Sequence, residues 1–368
     1  MSCSMIFCNK KISLYYGIFF FCFFISTGFA GQRIHSAPES TSQHTLAPAT
    51  TVRGLIEHCF ESQDRLPDGN PYIWKYVYTF FPAGVEMKLG VPQLASALTE
   101  CVLFTESADF KRRVLCCISI SCGCPQKCRY CATKGRFYRS LTSAEIVEQV
   151  VSMLKHRGVY ETVRDEAKQF QIMLMSMGEP FVNYDNVKEA LIELNRLFPR
   201  AQLLVSTMMP KVDSKLYDDF IELSQRIPQI GLQLSIHPLE GTVMRSSRYL
   251  ARLQRYGRRW SEATGRKVFL NYILTELNIN DTTLANLTRY FDPQHFAFSF
   301  ARVNTADGQI HLLSGINVDE ELRKFVRTLI DMGFVVKISK GHGRDIGGVC
   351  GSLLNFDKWA LERDASSA

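Results

Sequence analysis

The sequence has 368 residues, 46% hydrophobic and 21% charged, with a formal charge of +7. That composition excludes a disordered chain and describes a globular protein with a substantial core, arranged as one large domain plus a smaller one or as two ordinary domains. The basic excess is compatible with a polyanionic partner without requiring one, since a solvated basic face gives the same sum.

The first segment stands apart. Lys10 and Lys11 precede "ISLYYGIFFFCFFISTGFAG", an apolar run that ends in small residues and has the pattern of a secretory h-region. Export, organelle targeting, a membrane anchor through residues 12–30 and a start codon placed too far upstream are its competing accounts. Residues 31–50 follow as a polar linker. From Val114 onward, strands and helices alternate. "VLCCISIS" (114–121) predicts a strand, and "LTSAEIVEQVVSMLKHRG" opens with Thr142 and Glu145 at capping-box spacing and keeps helical periodicity to Gly158. "FQIMLMSM" reads as a strand and "DNVKEALIELNRLF" as a helix. "AQLLVST", "SKLYDDFIELSQRI" and "IGLQLSIH" continue as strand, helix and strand. A basic helix follows over 247–263. "KVFLNYIL", "TTLANLTRYF" and "HFAFSFARV" are strand, helix and strand, and "DEELRKFVRTLIDMG" with "FVVKIS" closes the series.

Short apolar strands separated by amphipathic helices predict a parallel sheet covered by helices. A doubly wound open sheet and a full or partial barrel both satisfy that periodicity. Polar elements follow the strands: the cysteine loop after 114–121, "GEP" (178–180), "ST" (206–207), "SIH" (235–237) and Asn304. The carboxyl ends of parallel strands carry the active site in such architectures, so five segments are expected to converge on one mouth.

Twelve cysteines are many for this length, and seven fall within residues 101–131. A disulfide framework spreads its cysteines, whereas clustering favours a metal or redox site in a reducing compartment. "CPQKCRYC" (124–131) sets Cys124, Cys128 and Cys131 at spacings of four and three. Structural zinc takes four ligands, and no fourth stands at a natural distance, because Cys122 is only two residues from Cys124. Three thiolates suit a [4Fe–4S] cluster with one iron left open to a substrate or cofactor. A zinc-holding or redox-active loop is the alternative.

CxxxCxxC with an aromatic before the third cysteine, on the loop after the first strand of a βα series, resembles the radical S-adenosylmethionine superfamily. "CCISISCGCPQKCRYCATKGRFYRSLTSAEIVEQV" and "GRDIGGVCGSL" are similar to the adenosine carbon-2 methyltransferases of 23S rRNA and tRNA and to their carbon-8 relatives. The resemblance spans about residues 98–355. It implies a partial (β/α)6 TIM-like barrel over 98–355, with a small accessory region over 51–97 and a tail over 356–368. Family members carry a small helical RNA-gripping domain, and residues 51–95 are long enough for one.

The cofactors implied are a [4Fe–4S] cluster on Cys124, Cys128 and Cys131 and S-adenosylmethionine. The latter is expected at Gly178, Glu179, Ser206, Ser235, Ile236, His237 and Asn304. Met208 stands where the family has a glycine, and "TADGQ" follows Asn304 instead of a proline-rich stretch. Cys350 is implied as methyl carrier, Cys117 as resolving thiol and Glu100 of "TECVLF" as base, against the plainer expectation of a solvated surface glutamate. Cys59, Cys101, Cys116 and Cys122 match no role. Implied partners are 23S rRNA or tRNA and a flavodoxin-type electron donor, in the cytoplasm. "GRFYRSL" (135–141) and the basic stretch 245–260 are candidates to track a phosphate backbone. A non-catalytic, metal-stabilised RNA-binding module is the rival reading.

Overall fold

The computed structural model describes residues 53–81, 98–128, 131, 133, 135–236, 243–274, 278–302 and 318–338. Two antiparallel strands come first, β1 (Arg53–Glu61) and β2 (Ile73–Phe81), followed by β3 (Leu98–Thr105) and β4 (Arg113–Ile118). After β4 a short hairpin, β5 (Ser121–Gly123) with β6 (Phe137–Ser140), frames the cysteine loop. The regular series follows as α1 (Ser143–His156), α2 (Tyr160–Asp165), β7 (Gln169–Leu174), α3 (Tyr184–Leu197) and β8 (Gln202–Thr207). Then come α4 (Ser214–Arg226), β9 (Ile230–Ile236), α5 (Val243–Thr264), β10 (Val268–Leu274) and α6 (Asp281–Tyr290). Last are β11 (Phe296–Arg302), α7 (Val318–Asp331) and β12 (Val336–Ile338).

Strand order decides between the two architectures that periodicity left open. One ten-stranded sheet runs β1-β2-β3-β4-β7-β8-β9-β10-β11-β12, and every pair from β4 to β12 is parallel. Each new strand joins the same advancing edge, whereas a doubly wound sheet reverses direction at a switch point. The result is a partial TIM-like barrel whose end strands are β1 and β12. Within 51–97 the described residues are strands, not helices. "IWKYVYTFF" alternates, and its Trp74, Tyr76, Tyr78 and Phe80 join the main core. Tyr76 and Tyr78 hydroxyls reach His156 and Ser152 of α1. The hairpin continues the barrel sheet through β2–β3 and β3–β4 pairing.

Alternation also separates the two faces of the barrel strands. Val114, Cys116 and Ile118 of β4, Leu232, Leu234 and Ile236 of β9, and Leu270, Tyr272 and Leu274 of β10 pack in the core with the helices. The opposite, concave face carries polar side chains linked across strands. Arg113 donates to Gln171 at 2.8 Å, Gln171 to Gln202 at 2.8 Å, and Asn271 to both Gln233 and Ser206 at 3.1 Å. Buried polar groups linked in this way line a channel rather than fill a dry core. Among the described residues no helix is long and apolar enough to cross a membrane, and residues 12–30 lie outside that set.

Candidate active site

The cysteine loop is pinched at its neck. Cys124 N–H donates to the Arg136 carbonyl at 2.7 Å, and Gly123 before it adopts φ +75°. A Cβ at Gly123 would stand 1.8 Å from the Arg136 oxygen, so only glycine lets the two loop ends approach. Inside the loop, the buried Cys124 sulfur receives the backbone N–H groups of Gln126 and Gly178 and has Cys131 and Glu179 nearby. Burial pushes its thiol up to about 11, partly offset by those N–H groups. Cys128 Sγ lies 3.9 Å from Met208 Sδ, and Cys131 Sγ is 2.9 Å from Thr133 Oγ1.

Gly178 and Glu179 close the site from the end of β7. Gly178 has φ +102°, and a Cβ there would meet Ser121 Oγ at 2.2 Å and Ile120 Cγ1 at 2.7 Å. Gly178→Ala should therefore cost about 2–4 kcal/mol through strained φ and overpacking, read as a lowered denaturant midpoint; an unchanged midpoint would refute the packing argument. The Glu179 carboxylate turns inward, accepting from Thr207 Oγ1 at 2.5 Å, Met208 N–H at 3.0 Å and Phe181 N–H at 3.3 Å. Burial raises it to about 7 against those hydrogen bonds. It thus ties the β7 loop to the end of β8.

Ser206 and Ser235 meet on the concave face with their hydroxyls 3.2 Å apart, and Asn271 donates to Ser206. Ile236 faces the other way into the core, so only its backbone is presented to the channel. Glu100 is fully buried, which overturns the expectation of a solvated surface residue. It lies on β3, with Lys75 Nζ 3.4 Å from its carboxylate. Cys117, partly exposed, pairs with Val102 of β3 and Met173 of β7 and therefore shares the concave face with Glu100. Cys116, Cys101 and Cys122 are buried. His237, Asn304 and Cys350 lie outside the described residues.

Two basic stretches are partly committed to the fold. Arg139 makes a paired contact with Glu145 at 2.8 Å through both guanidinium nitrogens, beside the Thr142–Glu145 capping box. On α5, Arg252 donates to the Met209 carbonyl at 2.6 Å and Arg259 to Asp218 at 2.7 Å. Phe137, Tyr138, Arg136, Arg248 and Arg255 remain exposed. Sequence reasoning missed Asn183, which donates at 2.8 Å to both the Ile120 and Leu141 carbonyls and anchors the loop's flanks. It also missed Asn271, although a polar residue inside "VFLNYIL" is a visible signal.

Residues 118–237 match the model of the radical SAM superfamily. A radical SAM methyltransferase from Sphaerobacter thermophilus shares the fold, with a TM-score of 0.60 at 24% identity over 82% of this chain and 81% of that one. The chain is 30% identical to the "Probable dual-specificity RNA methyltransferase RlmN" of Heliobacterium modesticaldum, over 71% of this chain and 68% of the relative. It belongs to the RlmN family. The "Dual-specificity RNA methyltransferase RlmN" of Halorhodospira halophila is 27% identical, with 69% of each chain covered.

RlmN-family proteins are radical SAM enzymes, which use a [4Fe–4S] cluster and S-adenosylmethionine. Among the described residues no three His, Cys, Asp or Glu side chains are already gathered to hold an ion. The donor set of this RlmN-family chain nevertheless fits the cluster. Three soft thiol ligands share one short loop, with two backbone N–H groups aimed at the Cys124 sulfur. The Gly178 backbone comes close enough to Ser121 to leave no room for a side chain.

Proposed function

We propose that this enzyme methylates carbon 2 of adenosine in 23S rRNA, tRNA or both, using Cys350 as methyl carrier and Cys117 as resolving thiol. One observation supports the reading most. Cys117 stands on the concave face near the carboxyl end of β4, and the chain runs directly from there into the loop bearing Cys124, Cys128 and Cys131. That continuity supports assigning the thiol and the three loop cysteines to one mouth.

Carbon 2 of adenine is an electrophilic amidine carbon, so simple displacement of a sulfonium methyl cannot place a group there. The bound cluster and S-adenosylmethionine supply a 5′-deoxyadenosyl radical. Cys350 takes a methyl group from one S-adenosylmethionine and offers it, as a methyl thioether, for hydrogen removal. The carbon so activated joins the adenine ring while still attached to the Cys350 sulfur. The adduct radical would give up one electron to the bound cluster, Glu100 takes the ring proton, and the Cys117 thiolate attacks the Cys350 sulfur to form a disulfide. The carbon leaving that sulfur keeps the bond's electron pair and takes up a proton, becoming the methyl group of the released RNA. Gly178, Glu179, Ser206, Ser235, Ile236, His237 and Asn304 line the S-adenosylmethionine site in this reading. A flavodoxin-type protein supplies electrons, and a reducing cytoplasm suits the thiols.

The test is nucleoside mass spectrometry of 23S rRNA and tRNA transcripts after incubation with anaerobically reconstituted protein and reductant. The expected product is 2-methyladenosine, with a brown iron–sulfur chromophore in the protein. Product at carbon 8 would reassign the position. Tetrahedral zinc with no methylation would overturn the enzyme reading.

A further inference from the structure

Lys75 of β2 and Glu100 of β3 meet on the concave face, with Nζ 3.4 Å from Oε1. The Glu100 side chain is sealed from solvent, and that of Lys75 keeps 10% exposure. An ion pair buried this far loses hydration that its attraction only partly offsets, so it is weak as a purely stabilising device. Apolar side chains flank it among the described residues. Val77 lies opposite Glu100, Leu98 and Val102 flank it on its own strand, and Met177 packs with Val77 and Leu98. The Lys75 ammonium lies 5.4 Å from the centre of the Phe60 ring.

Thiols stand nearby among the described residues. Cys117 of β4 faces Val102 across the ladder and so shares the concave face. Cys101 points to the opposite face, its thiol held far above the usual range by burial first and then by Cys116, Cys117 and Glu100. Ser119 and Ser176 direct their hydroxyls to the Glu100 backbone carbonyl.

We propose that Lys75 is a positioning residue for Glu100, holding the buried carboxylate ionised and fixed on the concave face to accept the adenine ring proton. The proposal rests on the reading of Glu100 as the base. Once the covalent adduct has given up its unpaired electron, the ring C–H bond breaks, its electron pair stays with the ring and restores aromaticity, and the proton passes to a Glu100 oxygen to give the neutral acid. Apolar burial favours a protonated carboxyl that cannot act as a base, whereas a cation within hydrogen-bonding range favours the anion.

The test compares Lys75→Met, Lys75→Arg and Glu100→Gln in the full cluster-bearing chain, with a tRNA or 23S rRNA transcript as substrate. Lys75→Met should move the acid limb of the rate–pH profile up by about 1–3 pH units, with the rate regained at high pH. Lys75→Arg should retain the parent profile. Glu100→Gln should lose about 10²–10⁴-fold in rate. Infrared spectra of RNA-free protein near neutrality should show one more protonated carboxyl in Lys75→Met than in the parent. Should Lys75→Met fail to fold, Lys75→Gln keeps much of the stem, removes the charge and carries the same comparison. Undiminished Glu100→Gln activity would remove the base reading itself. A crippled Glu100→Gln with a Lys75→Met profile like the parent's, or lowered equally at every pH, would overturn the role of Lys75 alone.

Discussion

Replacing Cys117 by alanine is expected to turn the enzyme into a trap. RNA should stay covalently joined to the protein, seen as a labelled band on a denaturing gel, and multiple turnover should fall by at least about 10³-fold. β4 alternates, so Cys116 packs in the core with its thiol driven far up by burial, while Cys117 stands partly exposed on the concave face. A buried, protonated thiol makes a poor nucleophile, and the thiolate is the attacking species. The period of the strand therefore gives two adjacent cysteines of the same chemistry opposite settings. Cys116→Ala should form no adduct and keep turnover, at a modest cost in stability. Free methylated RNA from Cys117→Ala would dismiss that thiol from product release.

Much of the parallel half of the fold was legible because its signals are local. Thr142 and Glu145 announced the start of α1, and both halves of the capping box are present, Glu145 accepting from Thr142 N–H at 2.8 Å. The alternation of apolar strands and amphipathic helices carried through to β12 because each unit repeats one period. The antiparallel wing was not read, since sheet membership depends on a non-local partner. "IWKYVYTFF" alternates well enough to be a strand, but its pairing with "LTECVLFT" joins segments separated by residues 82–97. Motif matching also ran ahead of geometry at "SIH". A two-residue period already sends Ser235 inward and Ile236 outward. Arg139 shows the same limit from another side. Density of positive charge suggested phosphate contacts, yet its guanidinium is held by Glu145, six residues ahead, at the cap of α1.

The largest stability effect is expected from a residue with no place in the chemistry. Gln149 of α1 is fully buried. Its side chain accepts from Ser119 N–H at 2.9 Å and donates to the Ser119 carbonyl at 2.8 Å. Ser119 follows β4 directly, where the chain leaves the ladder to enter the cysteine loop, so Gln149 substitutes for the missing strand partner there. Ser119 Oγ in turn donates to the Glu100 carbonyl and accepts from Met177 N–H, joining β3 to the segment that ends in Gly178 and Glu179. Gln149→Leu preserves bulk but leaves two buried backbone groups without their side-chain partner, at about 1–3 kcal/mol each. A total loss of about 2–6 kcal/mol is a large part of the stability of an ordinary domain. Denaturant titration should show it as a lowered midpoint. Gln149→Glu should separate hydrogen bonding from packing, because it keeps an acceptor for Ser119 N–H while losing, when ionised, the donor to its carbonyl. If both variants unfold at the parent's midpoint, Ser119 does not depend on that amide, and the link from helix α1 to the mouth of the barrel is not made there.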